Sequence, residues 1–487
     1  MKLATSEEIK LIDKLAVEKF RISESELMNR AGTGAANVIL KEYPSVRQIV
    51  VISGPGKNGG DGKVVAKRLE EKGILAHLLV TTDLIPHWKS LISEAELIVD
   101  ALFGVGLSRN VQGIEREIIR LINASCKKVV SLDIPSGLSA DTGRVCGEAI
   151  RAELTCTIGI PKVGLFIGEG PLLSGRLVTI DLGIPEAVYH EVKISGKLLH
   201  PKDFESQLAP RGNDTHKGTY GHLLLVGGSV NRLGAPLIAA RAALRSGAGL
   251  VTVGLPERCY QKIPKGLLEV MYEPLSSNKV GRLNLSALKE IQTLTKDKEC
   301  IAIGPGLGVT PDIRKIVEGL IKSGKAPLLL DADALNAIGK KIEILKKGRR
   351  VIVLTPHPGE MGRLIGKPAS EVQQDRLRSA RELARSARVY VVLKGFRTLI
   401  VTPEGDYFVN PTGNPGMATA GMGDVLTGMI GALMSISPNS ILEAILAAVY
   451  LHGLAGDRLK KRLGDRGFLA SDLIEEIPLA FRELVGS

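Results

Sequence analysis

The chain has 487 residues, of which 44% are hydrophobic and 24% charged. This composition excludes a wholly disordered protein and allows sizeable hydrophobic cores. The net charge of +12 fits phosphate-bearing small molecules, and because cationic and anionic residues are interleaved without a basic tail, we expect no nucleic-acid partner.

Cysteine usage and hydropathy predict a cytoplasmic protein. The five cysteines are an odd number with no CxxC spacing, which argues against a disulfide framework or a cysteine-based zinc site. Glu7 and Glu8 interrupt the start of the chain before any apolar run forms, so no signal peptide is visible. The longest apolar stretches, 425–436 and 444–451, are too short to span a bilayer.

The first part of the chain alternates apolar runs with helical spacing. Helices are predicted over 6–20, 24–40 and 63–72, the last one after a glycine-rich loop at 54–62. Strands are predicted over 49–52, 75–80, 97–101, 129–133 and 177–182. This alternation is typical of an α/β fold with a doubly wound parallel sheet.

The pattern weakens between residues 185 and 213, a segment with several prolines and mixed charge. We therefore place a boundary near residue 200 and expect two domains, 1–200 and 201–487. A second α/β series follows, with strands predicted over 222–226, 250–253, 300–303, 328–331, 351–354, 389–393 and 399–402.

The loop at 54–62 reads GPGKNGGDG, in which Gly54, Gly56 and Gly59 satisfy GxGxxG. Glycines before a helix let backbone N–H groups approach an anion. Asp83 stands where a dinucleotide-binding fold has its ribose-binding acid. Apart from the glycines, however, Asp83 is the only residue that supports the interpretation as a plain dehydrogenase. A tight strand-to-helix turn is the structural alternative.

Two further loops, DALFGVGL from Asp100 and SLDIPSGL from Ser131, also follow predicted strands. The carboxyl ends of parallel strands meet at one edge of a sheet, so Asn58, Asp100, Asp133 and Ser136 could converge there. Oxygen ligands of this kind suit a hard cation such as potassium or calcium. Alternatively, the two aspartates only cap turns.

These three loops in this order resemble the NAD(P)H-hydrate epimerase family, over residues 1–190. The resemblance implies a Rossmann-like fold, homo-oligomers, and potassium at Asn58, Asp100 and Ser136. Lys57 and Lys63 depart from the family pattern and add positive charge. The resemblance implies substrate contacts at Lys57, Asn58, Gly59, Gly60, Asp61, Gly104, Val105, Gly106, Leu107, Ser108, Arg109, Asn110 and Asp133.

The chemistry of such a substrate suggests a role for one carboxyl group. In a hydrated nicotinamide, the ring nitrogen can expel the C6 hydroxyl and leave an iminium ion, to which water returns on either face. A carboxyl group that first donates and then accepts a proton would serve this reaction, and our hypothesis assigns it to Asp133.

The most informative stretch is TGNPGMATAGMGDVLTG at 412–428, where a glycine-rich turn leads into an apolar helix. Backbone N–H groups at the start of that helix would form an anion hole, and Asp424 could take a proton from an alcohol. The stretch resembles the GxGD signature of ribokinase-like phosphotransferases. An ordinary Asp cap is the alternative, but it does not explain the glycines.

Other segments narrow the resemblance to the ADP-dependent (S)-NAD(P)H-hydrate dehydratase family, over 215–480 and with a ribokinase-like fold; examples are GPGLG at Gly304, DADALN at Asp331 and TPHPGE at Thr355. It implies substrate contacts at Ala235, Gly306, His357 and Asp424, and nucleotide contacts at Lys394, Gly395, Phe396, Arg397, Thr398 and Gly423. We expect Mg²⁺ to accompany ADP. Taken alone, His357 could be a buried, satisfied histidine, and we interpret Asp331 and Asp333 as structural caps.

The two halves together predict one repair pathway for hydrated NADH and NADPH, with ADP consumed and AMP and phosphate released. The first domain would interconvert the R and S epimers, and the second would dehydrate the S form. Two alternatives remain open here: a small-molecule kinase with a dinucleotide-sensing first domain, and a binding or scaffold protein.

Overall fold

The computed structural model describes residues 1–81, 88–263 and 267–485, and Asp83 lies outside these described residues. The chain divides into two compact units, Met1–Lys197 and Leu198–Ser487, while the boundary predicted from the sequence lies near residue 200. Among the residues described, no helix is both long and apolar enough to cross a membrane. The five cysteines are unpaired.

The first unit is built on a six-stranded parallel sheet flanked by helices. The strands of this sheet are β2 (Gln48–Ser53), β3 (Leu75–Val80), β4 (Leu97–Ala101), β5 (Lys128–Leu132), β6 (Leu154–Ile158) and β7 (Arg176–Ile180), while two short strands, β1 (Lys2–Leu3) and β8 (Gly196–Leu198), lie outside it and pair antiparallel. Its described helices are α1 (Ser6–Glu18), α2 (Glu24–Glu42), α3 (Lys57–Glu70), α4 (Trp88–Glu94), α5 (Gly113–Ala124), α6 (Gly170–Leu173) and α7 (Glu186–Val192). A short 3₁₀ helix covers Val163–Leu165.

The strands of this sheet lie in the order β3-β2-β4-β5-β6-β7, and every adjacent pair is parallel. Alternate residues of β2 enter two different cores, with Ile49 and Val51 beneath α2 and α3, and Val50 and Ile52 beside α4 and α5. Because both faces are covered, the central strands β2 and β4 are largely apolar and buried. The predicted doubly wound sheet is confirmed.

The second unit is a larger α/β layer. Its strands are β9 (His222–Val226), β10 (Leu250–Pro256), β11 (Met271–Leu275), β12 (Cys300–Ile303), β13 (Leu328–Leu330), β14 (Ile352–Leu354), β15 (Tyr390–Leu393), β16 (Leu399–Val401) and β17 (Tyr407–Val409). Its helices are α8 (Gly234–Arg245), α9 (Glu257–Tyr260), α10 (Ala287–Leu294), α11 (Pro311–Lys322), α12 (Ala332–Ile338), α13 (Pro358–Ile365), α14 (Ala369–Gln374), α15 (Arg376–Ala387), α16 (Met422–Ile436), α17 (Ile441–Leu463) and α18 (Ala470–Val485). Short 3₁₀ helices cover Pro201–Leu208, Lys217–Tyr220, Thr295–Asp297, Ile342–Lys347 and Pro415–Met417.

In the second unit the strand order is β17-β16-β15-β14-β13-β12-β9-β10-β11. The seven neighbouring strands β15-β14-β13-β12-β9-β10-β11 pair in parallel. At the other edge, β15 pairs antiparallel with β16, and β16 pairs antiparallel with β17. Helices α8, α16, α17 and α18 share one extended core with this sheet. The predicted α/β class is confirmed, but the antiparallel edge was not predicted.

Two kinds of element differ from the sequence predictions. Helix α3 begins at Lys57, inside the stretch predicted as a loop, because its glycines are packed within a helix rather than in an open turn. Strands β1, β6, β8, β11 and β17 were not predicted. Strand β6 alternates threonine with apolar residues, β11 contains a proline, and the others have only two or three residues, so none gives a strong apolar run.

Helices α8 and α16 approach closely at one glycine. A Cβ added at Gly428 would lie 2.0 Å from the carbonyl oxygen of Ala239 in α8. Gly428 and Ala239 are both fully buried within the shared core. The absence of a side chain at Gly428 therefore sets the separation of the two helices.

Gly428→Ala should destabilise the second unit by about 1–3 kcal/mol, since the methyl group would force the helices apart. Gly234→Ala is the matched control, because nothing lies within 4 Å of a Cβ at that position. Urea unfolding followed by circular dichroism would measure both variants. Equal midpoints for the two variants would contradict this account of the packing.

Candidate active sites

The first site lies where the strand order of the first sheet reverses. Strand β2 pairs with β3 on one side and with β4 on the other, so the connections after β2 and β4 leave the sheet in opposite directions. The backbone N–H of Gly54 donates to the carbonyl of Ala101 across 3.0 Å, which places the two loops side by side. Parallel sheets bind ligands at such reversal points.

The start of α3 is open to an anion. Its N-cap is Gly56, which offers no side-chain cap, and the first turn contains no acidic residue. A Cβ at Gly59 would lie 1.9 Å from the carbonyl oxygen of Gly54, so only glycine allows this turn to pack against the loop. The first N–H groups of the helix are therefore available to a phosphate or another anion.

A cavity of about 510 Å³ opens beside this helix. Its polar wall is formed by Asp13, Asn58, Asp61, Asp133 and Lys162. The predicted substrate-contact residues that line it are Lys57, Asn58, Asp61, Gly104, Val105, Gly106, Leu107, Ser108, Arg109 and Asp133.

Three predicted substrate-contact residues are not among those lining the cavity. A Cβ at Gly59 would meet Gly54, and one at Gly60 would meet the Met28 side chain, so both glycines serve close packing. Asn110 is exposed and stands beside Gly147.

The Lys57 ammonium group forms an exposed ion pair with Glu24 across 2.9 Å.

Asp133 is held in an unusual backbone conformation by a buried cation. It follows β5 with φ of +65°, in the left-handed region that costs a non-glycine residue free energy. Its Oδ1 accepts hydrogen bonds from the Lys162 ammonium and, at 3.1 Å, from the N–H of Ile158. Lys162 is only 1% exposed and also donates to the Ile158 carbonyl at 2.6 Å. The ion pair thus fixes one charged carboxylate at the cavity wall.

Asp61 lines the same cavity but, unlike Asp133, has no cation from the described part of the chain bonded to its carboxyl group. Burial raises the pKa of Asp61 to about 8, and the charges of Asp133 and Asp13 act in the same direction, against Lys162 and Lys57. Burial also raises the pKa of Asp13. The cavity therefore contains a carboxyl group, that of Asp61, that retains its proton at neutral pH.

Next to the cavity, Asp100 organises the loops after β4 and β5. Its fully buried carboxylate accepts hydrogen bonds from the Ser131 hydroxyl at 2.8 Å and from the Ser136 backbone N–H at 2.9 Å. The Ser136 hydroxyl also binds Asp100 and accepts from the N–H of Phe103 at 2.8 Å. Asp100 is thus more than a local turn cap, since it links two loops.

The surroundings of Asp100 contain several oxygen atoms that could coordinate a monovalent cation. Asn58 donates its amide N–H to the Phe103 carbonyl at 2.9 Å, while its Oδ1 is buried and has no hydrogen-bond partner. Among the residues described, no group of three or more His, Cys, Asp or Glu is arranged to hold a metal. A set of neutral oxygens with the single carboxylate of Asp100 therefore fits a weakly charged ion such as potassium.

The second site occupies the corresponding reversal in the second sheet, between β9 and β12. The N–H of Gly228 donates to the Pro305 carbonyl at 2.8 Å, and the Ser229 hydroxyl donates to the Gly306 carbonyl at 2.8 Å. A Cβ at Gly306 would lie 3.5 Å from that of Ala235, at the start of α8. The fold thus brings together the predicted substrate contacts Ala235 and Gly306.

Asp424 lies in the first turn of α16. The N-cap Gly421 has φ of +87° and contributes no side-chain cap, so the first N–H groups of the helix remain available. Within the described residues, no hydrogen bond to the Asp424 carboxyl group is found. Burial raises the pKa of Asp424 to about 6, assisted by Asp331 and opposed by Lys394. Asp424 is therefore not an ordinary helix cap, and it can act as a base near neutral pH.

Asp331 connects this helix to the neighbouring strands. It stands at the N-cap position of α12, yet its side chain makes no capping hydrogen bond, so our interpretation of it as a helix cap was wrong. Its buried carboxylate instead accepts from Lys394 Nζ at 2.8 Å, from the Thr427 hydroxyl at 2.7 Å and from the Thr355 hydroxyl at 2.7 Å. These bonds stabilise the charged form and lower the pKa of Asp331 despite its burial.

His357 joins the same network. Its Nδ1 accepts from the N–H of Gly359 at 3.0 Å, and its Nε2 lies 3.5 Å from Glu360 Oε1. The other oxygen of Glu360 lies 3.8 Å from Lys394 Nζ. Because the His357 side chain is 50% exposed, the alternative of a buried histidine is wrong.

The predicted nucleotide loop at 394–398 has mixed accessibility. The Lys394 side chain is engaged with Asp331, although a Cβ at Gly423 would lie only 3.5 Å from its Nζ. Phe396 is 48% exposed, and the buried Arg376 guanidinium donates to the carbonyls of Leu393 and Phe396. Arg376 thus anchors the loop, in which Gly395 and Phe396 are exposed.

Sequence reasoning missed four of these groups, namely Asp13, Lys162, Glu360 and Arg376. Lys162 follows β6, so recognition of that strand would have drawn attention to it. Glu360 lies three residues after His357 in the capping box of α13, which is a recognisable sequence signal. Asp13 and Arg376 have no comparable local signal.

Comparisons with known proteins agree with this division. Residues 223–479 match the family described as NAD(P)H-hydrate dehydratase, and residues 24–86 and 78–164 match the family described as YjeF-related protein N-terminus. An ADP/ATP-dependent NAD(P)H-hydrate dehydratase from Bacillus subtilis, co-crystallised with ATP and Mg²⁺, is 33% identical, with a TM-score of 0.51, and aligns with 59% of this chain and 99% of its own. A ribokinase-like superfamily protein from Enterococcus faecalis is 27% identical, also with a TM-score of 0.51, and aligns with 60% of this chain and 96% of its own.

Two curated relatives span both units. The bifunctional NAD(P)H-hydrate repair enzyme Nnr of Moorella thermoacetica is 37% identical over 99% of this chain and 97% of its own length. The protein of the same name from Escherichia coli is 34% identical over 97% of this chain and 92% of its own length. With an epimerase-type unit, a dehydratase-type unit and full-length relatives of this kind, the chain belongs to the family of bifunctional NAD(P)H-hydrate repair enzymes.

Proposed function

We propose that the chain repairs hydrated NADH and NADPH at two sites. The first unit interconverts the R and S epimers, and the second dehydrates the S epimer with ADP, which gives NAD(P)H, AMP and phosphate. The observation that carries this proposal is that one chain combines the Asp133–Lys162 cavity with the glycine-flanked Asp424 helix, each at the reversal point of its own sheet.

In the first unit, Asp133 transfers a proton during loss and return of the C6 hydroxyl. The ring nitrogen expels the hydroxyl group, and water then adds to the resulting iminium ion. Asp133 suits this role because it lines the cavity and Lys162 holds its carboxylate in place. The loop 104–109 and the open start of α3 bind the rest of the substrate, with phosphate groups near the helix N–H groups.

We also propose that potassium binds at Asn58, Asp100 and Ser136. Support comes from the buried Asn58 Oδ1, which has no hydrogen-bond partner among the described residues, and from the Phe103 carbonyl, to which both the Asn58 amide and the Ser136 hydroxyl donate. The ion would add positive charge at the edge of the cavity and join the loops after β2, β4 and β5.

In the second unit, Asp424 accepts the proton of the C6 hydroxyl as that oxygen attacks the terminal phosphate of ADP. The N–H groups of residues 421–423 stabilise the developing negative charge as AMP leaves. The phosphate then departs from C6, assisted by the ring nitrogen, and loss of a C5 proton from the resulting iminium ion to water gives NAD(P)H. Ala235, Gly306 and His357 contact the substrate in this proposal.

The nucleotide binds against the backbone of residues 394–398 and Gly423, with Mg²⁺ held chiefly by its phosphates. The Lys394 ammonium pairs with Asp331, lies 3.8 Å from Glu360 and is close to Gly423. The relative from Bacillus subtilis that was co-crystallised with ATP and Mg²⁺ supports the use of a magnesium nucleotide.

Two broader features belong to the same proposal. The chain forms homo-oligomers, as the family resemblance suggests. It acts in the cytoplasm, where a reducing environment suits five unpaired cysteines.

A mixed-epimer preparation of NADH hydrate tests both activities through recovery of the dihydronicotinamide absorbance. With ADP, the wild-type chain should recover the whole mixture faster than uncatalysed epimerisation allows. Asp424→Asn should lose at least about 100-fold in dehydration yet still epimerise, whereas Asp133→Asn should dehydrate the S fraction at the normal rate and then stall. No recovery by the wild type with ADP or ATP would overturn the proposal.

The dehydratase rate should depend on the charge of Asp424. The base must be unprotonated, so kcat/KM should rise with pH through the Asp424 pKa of about 6 and then level off. Below that pKa, the value should fall about tenfold per pH unit. Initial rates on the purified S epimer measure this profile, and a flat profile across this range would exclude Asp424 as the base.

Replacement of potassium by choline at equal ionic strength should slow epimerisation several-fold. Asn58→Ala should be slow in both buffers, because it removes the unpartnered amide oxygen. Epimer interconversion without nucleotide, followed by chromatography, measures the effect. Equal wild-type rates in the two buffers would argue against the cation site.

A further inference from the structure

The epimerase cavity contains a second carboxyl group with no assigned chemistry. Asp61 lies near the start of α3, is only 9% exposed and lines the cavity. Among the residues that the structure describes, its side chain has no hydrogen-bond or ion-pair partner. A carboxyl group that is nine-tenths buried without a partner is costly, so its retention calls for a function.

Asp61 and Asp133 have contrasting surroundings in the cavity. The Lys162 ammonium compensates the Asp133 carboxylate directly. Asp61 has no such partner, and its pKa of about 8 leaves it protonated at neutral pH; the charged or titratable groups around it are Asp133, Asp13, Lys162 and Lys57. A carboxylate that is paired with a lysine and a carboxyl group that has no cationic partner can serve as one proton acceptor and one proton donor.

The reaction itself requires two such groups. Inversion at C6 needs the hydroxyl to leave from one face of the ring and water to return on the other. The leaving oxygen must gain a proton, and the incoming water must lose one. A single carboxyl group on one face returns water to that same face, whereas groups from two different elements can serve both faces.

We propose that Asp61 is a second catalytic residue of the epimerase, acting on one face of the hydrated ring while Asp133 acts on the other. This inference rests on the proposed epimerase function of the first unit. It extends the single-carboxyl role of Asp133 to a two-carboxyl mechanism.

The protons and electrons balance in each direction. Asp61 gives its proton to the C6 hydroxyl oxygen, the C–O bond breaks, water leaves, and the nitrogen lone pair forms the C=N bond of the iminium ion. Water on the opposite face then forms the new C–O bond, its proton passes to Asp133, and the C=N electron pair returns to nitrogen. The product form, with Asp61 charged and Asp133 protonated, is the form that catalyses the reverse reaction. Proton exchange with water in the cavity then returns Asp61 and Asp133 to their starting forms.

Each purified epimer is incubated in H₂¹⁸O without nucleotide, so the dehydratase is silent. Chromatography measures inversion and mass spectrometry measures ¹⁸O in the retained epimer, with enzyme-free rates subtracted. Asp61→Asn should invert at least about 100-fold more slowly, yet still exchange ¹⁸O into one epimer only. Asp133→Asn should show the mirror pattern, with exchange in the other epimer.

Two further variants separate catalysis from folding. Asp61→Glu should restore part of the inversion lost in Asp61→Asn, because it returns a carboxyl group to the cavity. Glu70→Gln is the matched control, since it removes an exposed carboxylate from the other end of the same helix, outside the cavity, and should invert normally.

Near-normal inversion by Asp61→Asn would overturn the inference, and so would equal loss of exchange in both epimers without rescue by glutamate. A wild-type chain that inverts no faster than the enzyme-free control would instead overturn the proposed epimerase function, and the role of Asp61 with it.

Discussion

The reversal of strand order in each parallel sheet is the constraint on which both sites depend. At that point the connections after two adjacent strands turn to opposite faces, and a crevice remains at the carboxyl edge. Backbone groups bridge the two loops directly, from Gly54 to Ala101 in one unit and from Gly228 to Pro305 in the other. Such close contact leaves little room for side chains, which explains the glycine-rich loops at both edges.

Both sites also bury a lysine against an aspartate. Lys162 holds Asp133, and Lys394 holds Asp331, so each site has one carboxylate whose charge is compensated. A second carboxyl group in each site lacks a cationic partner, and burial raises the pKa of Asp61 and of Asp424. Opposite environments for neighbouring acids are a general way to obtain proton transfer near neutral pH.

Fusion of the two units has a chemical rationale. Hydration of NADH or NADPH at C6 creates a stereocentre, and a dehydratase that accepts one epimer leaves the other unrepaired. An epimerase on the same chain supplies the missing epimer without requiring a second gene product. The two activities need different sites, because one only moves protons and water whereas the other must bind a nucleotide beside its base.

The sequence by itself determined the α/β class and the positions of most strands along the chain, because buried parallel strands are continuous apolar runs bounded by glycine. The order of the strands within each sheet came only from the structure. It also drew attention to Asn58, Asp133 and Asp424, which lie in glycine-rich motifs. Only the tertiary structure decided the partners of these residues. Lys162 reaches Asp133 across 29 positions, and Lys394 reaches Asp331 across 63. No local sequence pattern marks such pairs, because the two residues meet only when the fold brings the ends of distant strands together and buries them.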